Sequence, residues 1–346
     1  MRAKGIGLDI GSAALRAAEL SFGSGGAVLR REAQVELPEG AVVDGVVQDA
    51  AAVTAAVKQL WKTGRFSSRT VQLGMANRRV MVRQIDLPDL PEADLAQALP
   101  FQVADVLSIP VDEAVLDFHL LERLNSPSGA VVQRGLLVAA PREDVLRNVH
   151  AVEAAGLRVG SVDLVPFAVM RAVGSRWHEQ GPTEMVVDIG GRITTLTIHT
   201  GGVPHLVRIL QAGGSDITAA LARAEGTTEE EAELRKLSAG LDDTDAIGNE
   251  QVIAAGLGQL MDEVRSSLDY HASTNSRFPV TSVVLTGGGS QFPGTADYLE
   301  AVVDLPVRFG STVRFRSGEG AQDDDVAGSG DDPSVVAIGL ALAVAS

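Results

Sequence analysis

The chain opens with apolar runs broken by short turns, which predicts strands followed by an amphipathic helix. The helix has Asp49 as an N-cap and apolar side chains at helical spacing. Strands are predicted at residues 5–10, 13–20, 27–37 and 70–75, and the helix at 49–63. A similar strand–turn–strand opening returns at residues 185–211. The pattern therefore predicts a duplicated α/β unit.

The segment between the two copies has a different pattern. Strands are predicted at residues 80–87, 114–123, 131–140 and 157–162, and helices at 91–106, with an interruption at Pro100, and at 142–155. Further helices are predicted at 163–173, 216–224, 228–238, 251–272 and 333–345, with a buried strand at 282–286. The Gly- and Asp-rich stretch 317–332 predicts an acidic surface loop.

These patterns predict three structural units. A first domain comprises residues 1–79, 163–180 and 333–346, an α+β subdomain is inserted at 80–162, and a second domain spans 181–332. The hydrophobic fraction of 45% is ample for packed cores in a chain of 346 residues.

Composition excludes several classes of protein. The net charge of −16 argues against a nucleic-acid partner, because such proteins are usually basic. The absence of cysteine excludes a disulfide scaffold, a zinc–thiolate site and a cysteine nucleophile. The longest apolar stretch, 335–345, is shorter than the roughly 18–20 residues of a membrane span, so we expect a cytoplasmic protein.

One short phrase occurs twice, once in each copy. Asp9-Ile10-Gly11-Ser12 and Asp188-Ile189-Gly190-Gly191 each follow an apolar run and open a new one. In each, a carboxylate at the end of a strand can face a hydrated cation. The glycine that follows allows backbone N–H groups to approach phosphate oxygens. The pair predicts a metal–phosphate group held from both sides.

Two glycine-rich turns separate strands from helices later in the chain. They are Gly213-Gly214-Ser215 and Gly287-Gly288-Gly289-Ser290. A glycine turn before a helix lets backbone pass close to a ligand, with the positive end of the helix dipole nearby. Each turn is equally compatible with tight packing alone. The P-loop pattern is absent from the sequence.

The ordered set of motifs resembles the actin, Hsp70 and sugar-kinase superfamily. Besides the two Asp-Ile-Gly phrases, the set comprises Val-Asp-x-x-Pro-Phe-Ala at 162–168, Gly-Gly-Ser-Asp-Ile-Thr at 213–218, Ala-Glu-Leu-Arg-Lys at 232–236, Leu-Thr-Gly-Gly-Gly-Ser at 285–290 and a small-residue helix at 334–341. The resemblance implies an actin-like, duplicated two-domain nucleotide-binding α/β fold with an inserted subdomain, binding ATP and Mg²⁺.

Within the superfamily, the chain most resembles the PilM family of type IV pilus assembly proteins, which is related to the division protein FtsA. The matching stretches are 83–88, 98–101, 109–110, 115–118 and 265–270. This resemblance covers essentially the whole chain and implies an ATP-binding scaffold of pilus assembly.

The superfamily resemblance also implies roles for particular residues. Asp9 and Asp188 would orient Mg²⁺ through its waters. Phosphates would lie against Gly11, Ser12, Gly190 and Gly191, adenosine against Gly213, Gly214, Glu233 and Lys236, and the base against Gly287, Gly288, Gly289 and Ser290. Asp163 would reach the phosphate side or serve as a helix N-cap. A solvated charged face is the alternative interpretation of Glu233 and Lys236.

One position departs from the superfamily pattern. Several ATPase relatives carry an acidic residue directly before the proline of the first connecting helix, where it orients the attacking water. Here Val165 precedes Pro166. Because a valine neither accepts a proton nor holds a water, we expect ATP hydrolysis to be slow or negligible.

The PilM resemblance implies a partner, the N-terminal cytoplasmic tail of the membrane protein PilN. The tail would dock in a groove between the insertion and the first domain, so membrane contact would come only through this partner. Candidate docking residues form an apolar cluster around Pro100: Leu99, Pro100, Phe101, Val103, Leu107, Ile109 and Pro110. The same residues are also suited to the core of the insertion. Other pilus assembly proteins and self-association are further partners that the family implies.

Two alternatives have specific requirements. A small-molecule kinase of the superfamily needs an aspartate base and polar sugar-binding residues, whereas this insertion is apolar and bounded by prolines. An FtsA-like cytoskeletal protein would carry an amphipathic membrane helix. The sequence therefore favours the ATP-binding scaffold over the kinase and the FtsA-like protein.

Overall fold

The computed structural model describes residues 3–24, 26–125, 129–174, 181–238, 249–312, 315 and 333–345. The predicted acidic loop at 317–332 lies outside these residues. The strands are β1 (Lys4–Ile10), β2 (Ala14–Gly23), β3 (Gly26–Glu36), β4 (Val42–Val43), β5 (Val46–Val47), β6 (Thr70–Met75), β7 (Met81–Pro88), β8 (Ala114–Asn125), β9 (Val131–Pro141), β10 (Arg158–Leu164), β11 (Thr183–Ile189), β12 (Thr194–Thr200), β13 (Val203–Leu210), β14 (Ser282–Thr286) and β15 (Val307–Phe309). The α-helices are α1 (Ala50–Gly64), α2 (Glu92–Gln102), α3 (Arg142–Glu153), α4 (Val165–Val173), α5 (Gly214–Glu225), α6 (Glu229–Ser238), α7 (Asn249–Thr274), α8 (Thr295–Val303) and α9 (Val335–Leu342).

Two five-stranded sheets share one topology. In the first, with order β10-β6-β1-β2-β3, the three consecutive strands β1 to β3 are antiparallel, and β6 and β10 add in parallel. The second has the order β13-β12-β11-β14-β15, with β11 to β13 antiparallel and β14 and β15 parallel. The predicted duplication is therefore confirmed, strand by strand.

Helix α1 covers one face of the first sheet. The carboxylate of Asp49 accepts a hydrogen bond from the Ala52 N–H at 2.9 Å, as expected of an N-cap. The side chains of Val53, Val57 and Leu60 are buried against the sheet. The helix is thus fixed by its cap and by the 3.6-residue repeat of its apolar side chains.

Helices α4 and α9 lie between the two sheets. Val169 of α4 and Ile338 of α9 share one apolar core with Leu20 of β2 and Val284 of β14. The approach is close, because a Cβ at Gly339 would overlap the carbonyl oxygen of Ala168. The two sheets are thus joined through helices whose backbones touch.

The inserted unit is a three-stranded sheet of order β7-β9-β8 with α2 on one face. That face forms its own core from Leu87, Leu95, Leu99, Val103 and Leu137. The opposite face carries Val82 and Val138, which cluster with Leu164 of the first sheet. The unit therefore meets the rest of the molecule with the face that α2 does not cover.

The predicted end of the insertion at residue 162 is wrong. Strand β10 pairs in parallel with β6 and so belongs to the first sheet. Helix α3 packs against α1 and β10. Asp163 and Leu164 also extend this strand, and the helix predicted from 163 begins only at Val165, where Pro166 favours the first turn. Only the sheet of 81–141 and its helix α2 form the inserted unit.

Two buried side chains of α3 hydrogen-bond to loops of the first domain. Asp144 accepts hydrogen bonds from Asn77 Nδ2 and Arg79 Nη1, both at 3.2 Å. One turn later, Asn148 accepts from the Val47 N–H and donates to the Gly45 carbonyl, both at 2.9 Å. Because buried polar groups are costly when unpaired, these bonds fix α3 in place.

The apolar helices of the described ranges are too short, and the long helix α7 too polar, to span a lipid bilayer.

We predict that Gly339→Ala lowers the free energy of unfolding by about 3 kcal/mol, because the added Cβ overlaps the Ala168 carbonyl. Urea denaturation measures the change. The matched control is Gly258→Ala in α7, where a Cβ meets only the Tyr298 hydroxyl at 3.5 Å. Alanine favours helix there, so this variant should gain up to about 1 kcal/mol. Equal midpoints for the two variants would contradict the close approach.

Candidate functional site

A cavity of about 650 Å³ lies between the two halves of the molecule. This volume is within the range of small-molecule sites. The predicted ligand residues that line it are Asp9, Gly11, Ser12, Asp188, Gly190, Gly191, Gly214, Glu233, Lys236, Gly287, Gly288 and Gly289. The structure thus brings together residues as far apart in the sequence as Asp9 and Gly289.

Asp9 and Asp188 occupy equivalent positions at the ends of the central strands β1 and β11. Asp9 pairs with Arg16 across the β1–β2 ladder, and Asp188 pairs with Thr195 across the β11–β12 ladder. Both aspartates line the cavity, and Asp188 is only 7% exposed. The internal duplication therefore places one carboxylate from each half in the same space.

The two carboxylates are electrostatically destabilised in the absence of a cation. Burial raises the pKa of Asp9 to about 6, partly offset by the charge of Arg16. Burial and then the charge of Asp9 raise the pKa of Asp188 to about 7, and Arg16 again opposes the rise. Low-dielectric surroundings disfavour both anions, so the site favours a positive charge beside them.

The loop after β11 is hydrogen-bonded to the start of α5. The Gly214 N–H donates to the Gly190 carbonyl at 3.0 Å, and the Ser215 N–H donates to the Gly191 carbonyl at 2.7 Å. A Cβ at Gly213 would overlap this same loop. Gly213 therefore lies behind the cavity wall and does not line it.

The loop after β14 passes directly over Asp188. Gly287 has φ of 89°, a conformation that favours glycine, and a Cβ there would lie 2.6 Å from Asp188 Oδ1. Ser290 is buried, and its hydroxyl donates to the Gly287 carbonyl at 2.7 Å. Ser290 therefore fixes the shape of the loop and does not line the cavity, unlike the three glycines before it.

A buried network underlies the second-domain end of the cavity. The Lys236 Nζ donates to the Gly214 carbonyl at 3.0 Å, to the Thr218 hydroxyl at 2.8 Å and to Glu233 Oε2 at 2.7 Å. Thr218 also donates to Glu233 Oε2. Lys236 is 5% exposed, so its charge is satisfied inside the protein, and it holds Glu233 at the cavity wall.

Asp163 is separated from the predicted phosphate side. Its carboxylate accepts hydrogen bonds from the Leu164 N–H at 2.7 Å and from the Arg171 guanidinium. It is not among the residues that line the cavity. Because Arg171 lies in the last turn of α4, its ion pair with Asp163 spans most of that helix and orients it.

Sequence reasoning missed several polar residues that line the cavity, among them Arg16, Asp44 and Thr218. Signals for them were present. Arg16 is the cross-strand partner of Asp9, and Thr218 follows Gly214 by one helical turn. Asp44-Gly45 stands between two Val-Val pairs, which is a strong hairpin signal.

The predicted partner-binding residues do not form one surface. Leu99 and Val103 are buried in the core of the inserted unit, and Leu107 packs against that core. Phe101 is 85% exposed on α2. The predicted groove between the insertion and the first domain is therefore not lined by these residues, because α2 covers the face of the inserted sheet that points away from the first domain. Pro100 and Ile109 are half-buried and Pro110 is exposed.

Comparison with known proteins identifies the family. A sequence profile of the family described as type IV pilus assembly protein PilM matches residues 7–344. The solved PilM–PilN type IV pilus biogenesis complex contains a chain 27% identical to this one, with a TM-score of 0.84 and full coverage of both chains. The ethanolamine utilization protein EutJ from Carboxydothermus hydrogenoformans is 16% identical, with a TM-score of 0.59 over 99% of this chain and 90% of its own.

Cell division protein FtsA is a more distant relative. The protein from Neisseria meningitidis serogroup B is 25% identical over 319 residues, covering 80% of this chain and 76% of its own. MreB 5 of Spiroplasma citri, solved with AMPPNP, is 14% identical with a TM-score of 0.54 over 97% of this chain and 94% of its own. The actin-like fold class expected from the sequence is confirmed.

We predict that Asp188→Asn stabilises the protein at pH 8 in the absence of divalent cations. The folded-state pKa of Asp188 is raised from 3.8 to about 7, so its contribution to stability is present below pH 4 and is lost as the pH rises towards 7. The asparagine does not ionise, so the variant should gain at most about 4 kcal/mol at pH 8 and almost nothing at pH 4. Urea midpoints at both pH values measure this, with exposed Asp112→Asn as the control. A pH-independent difference would count against a buried charge.

Proposed function

The chain belongs to the PilM family of type IV pilus assembly proteins, and we propose that it is an ATP-binding scaffold that docks the cytoplasmic tail of a PilN-type membrane protein. The observation that carries the nucleotide part is the cavity between the duplicated halves. The Asp-Ile-Gly phrase of each half lines this cavity. The partner part is supported by the likeness to a chain of the PilM–PilN complex.

The cavity walls suit the parts of a nucleotide. Gly11 and Gly190 line the cavity without side chains, which leaves room for phosphate groups. Their own N–H groups donate to the carbonyls of Ala14 and Ile193 within the two turns, which fixes the shape of these loops. At the other end, the Glu233 carboxylate has Oε2 engaged by Lys236 and Thr218 and is half-exposed at the wall. A carboxylate held in this way can accept hydrogen bonds from ribose hydroxyls.

The residues also fit Mg²⁺ bound with the nucleotide. Asp9 and Asp188 are oxygen donors whose anionic form is disfavoured by burial, and the hydroxyl of Thr286 beside Asp188 has no hydrogen-bond partner among the described residues. The cation would supply positive charge next to the phosphates. Asp9 and Asp188 would hold its waters, in keeping with the preference of Mg²⁺ for a hydrated shell.

The same cavity supports binding with little hydrolysis. Val165 lines it at the start of α4, and its Cγ2 would lie 3.4 Å from a Cβ at Gly74. An apolar side chain at that corner offers an attacking water no hydrogen bond. ATP would then serve as a bound ligand that holds the two halves of the molecule together around the cavity.

For the partner, we place the docking site at the junction of the inserted unit with the first sheet. Among the described residues, β10 has no strand on its outer edge, so backbone groups are available to an extended peptide. Exposed apolar side chains lie nearby, with Leu146 on α3 at 41% and Val162 on β10 at 37% exposure. Arg142 at the start of α3 donates to the Ala114 carbonyl at 2.8 Å, which joins this region to β8.

Docking of this kind would hold the scaffold on the cytoplasmic side of the membrane through its partner. Other pilus assembly proteins and further copies of the chain belong to the same proposal, on family membership alone.

We predict that the protein binds ATP–Mg²⁺ and a synthetic peptide of the PilN-type tail in separate calorimetric titrations. Asp188→Ala should abolish nucleotide binding and leave peptide binding intact, because it alters only the cavity. Val162→Asp should weaken the peptide at least tenfold and leave ATP unaffected, because it places a charge on the docking edge.

Phe101→Ala is the matched control, because Phe101 is exposed on the far face of the inserted sheet. It should bind both ligands as the wild type does. Loss of the peptide with Phe101→Ala alone would move the site to α2. Failure of the wild type to bind either ligand would refute the corresponding half of the proposal.

We also predict that steady-state ATP turnover of the wild type does not exceed that of Asp9→Ala. The reason is the apolar side chain of Val165 at the cavity corner. Phosphate release over several hours, with saturating ATP and Mg²⁺, measures it. Turnover well above that of Asp9→Ala would show that another group orients the water.

A further inference from the structure

A short hairpin of the first domain forms part of the cavity wall. Strands β4 and β5 pair through the turn Asp44-Gly45, with φ of 51° and 75° at the two residues. Both residues line the cavity. Neither belongs to the repeated Asp-Ile-Gly phrases or to the glycine-rich turns.

The hairpin lies at the end of the cavity occupied by Asp9. Strand β6 runs beside β1, with Leu73 opposite Leu8, so the chain leaves β6 next to Asp9. A Cβ at Gly45 would overlap the carbonyl of Ala76, just beyond that strand, and would lie 3.4 Å from Ile193 Cδ1. The turn therefore rests on the first sheet and touches the loop that follows Asp188.

The position of the turn is fixed from behind. Asn148 is 2% exposed and bonds to both the Gly45 carbonyl and the Val47 N–H at 2.9 Å. This pair of bonds holds the backbone on the far side of the turn from the cavity. Asp44 is thus held against the cavity by a rigid support.

Two of the carboxylates at this end have no hydrogen-bond partner in the part of the chain that the structure describes. Neither Asp44 nor the nine-tenths buried Asp188 has a hydrogen bond or an ion pair among the described residues. Two guanidinium groups also line the cavity here, Arg16, which donates to Gln34 at 3.0 Å, and Arg192 in the loop after Asp188. With Asp9, three carboxylates therefore face two arginines at this end of the cavity.

We propose that Asp44 is a third carboxylate of the cation site, which holds a water of the nucleotide-bound divalent cation, and that Asn148 is its positioning residue. This rests on the proposed function. A carboxylate in this place attracts a hydrated cation and repels a bare phosphate group. Removing its charge must therefore act in opposite directions on ATP with and without the metal.

The test measures ATP affinity by calorimetry in Mg²⁺ and in EDTA. Asp44→Asn should weaken ATP–Mg²⁺ about five- to tenfold and tighten metal-free ATP about twofold. Asparagine adopts a left-handed conformation at least as readily as aspartate, so the fold should be kept. General damage to the fold would weaken binding in both buffers and cannot produce this reversal.

Two further variants test the support and the charge. Asn148→Ala keeps the Asp44 charge but frees the turn, so it should weaken ATP–Mg²⁺ without tightening metal-free ATP. Glu39→Gln removes an exposed charge outside the cavity and should match the wild type in both buffers.

The outcomes separate the two proposals. Suppose that the wild type binds ATP–Mg²⁺ and that Mg²⁺ raises the ATP affinity of Asp44→Asn as much as that of the wild type. The role of Asp44 is then overturned and the proposed function stands. If the wild type binds ATP no better than Asp188→Ala in either buffer, both are overturned.

Discussion

The architecture depends on how closely two connecting helices approach the first sheet and each other. Side chains at Gly7 of β1 and Gly339 of α9 would overlap carbonyl oxygens of Ala337 and Ala168. Because neither position has a side chain, α4 and α9 fit together between the sheets and share one apolar core with both. The width of the cavity above them follows from this approach. A wider separation would leave the loops of the two halves too far apart to enclose one ligand.

That enclosure has an electrostatic consequence. Duplication brings Asp9 and Asp188 into the same buried space, where burial raises the pKa of each. The molecule therefore keeps an arrangement that is unfavourable without a cation, which is common where a site is organised for a ligand. The neighbouring loops avoid side chains where backbone must come near. The close approach of the two halves therefore accounts both for the glycines in the loops and for the burial of the two carboxylates.

The features that could be predicted from the sequence are those that produce a hydrophobic periodicity or a repeated motif. The succession of strands and helices along each copy, the N-cap at Asp49 and the glycine loops could be inferred locally, because local spacing determines them. The location of the Asp163 carboxylate could not be inferred in this way, because it is set by an ion pair with Arg171. Leu99 and Phe101 belong to one short helix, yet only packing shows that the first is buried and the second exposed. Helix α3 was assigned to the insertion because sequence order does not reveal which sheet β10 joins.

The hydrogen bonds of Asp144 have a mechanical consequence. The chain enters the inserted unit through Asn77 and Arg79 and leaves it at Pro141, directly before α3. Asp144 ties the entering segment to the first turn of that helix, so both crossings are clamped at one point. Tension applied to the inserted unit would be resisted by shear of these bonds, without bending of a free hinge. Because Asn148 lies one turn further along α3, the load would reach the cavity wall over a single helical turn.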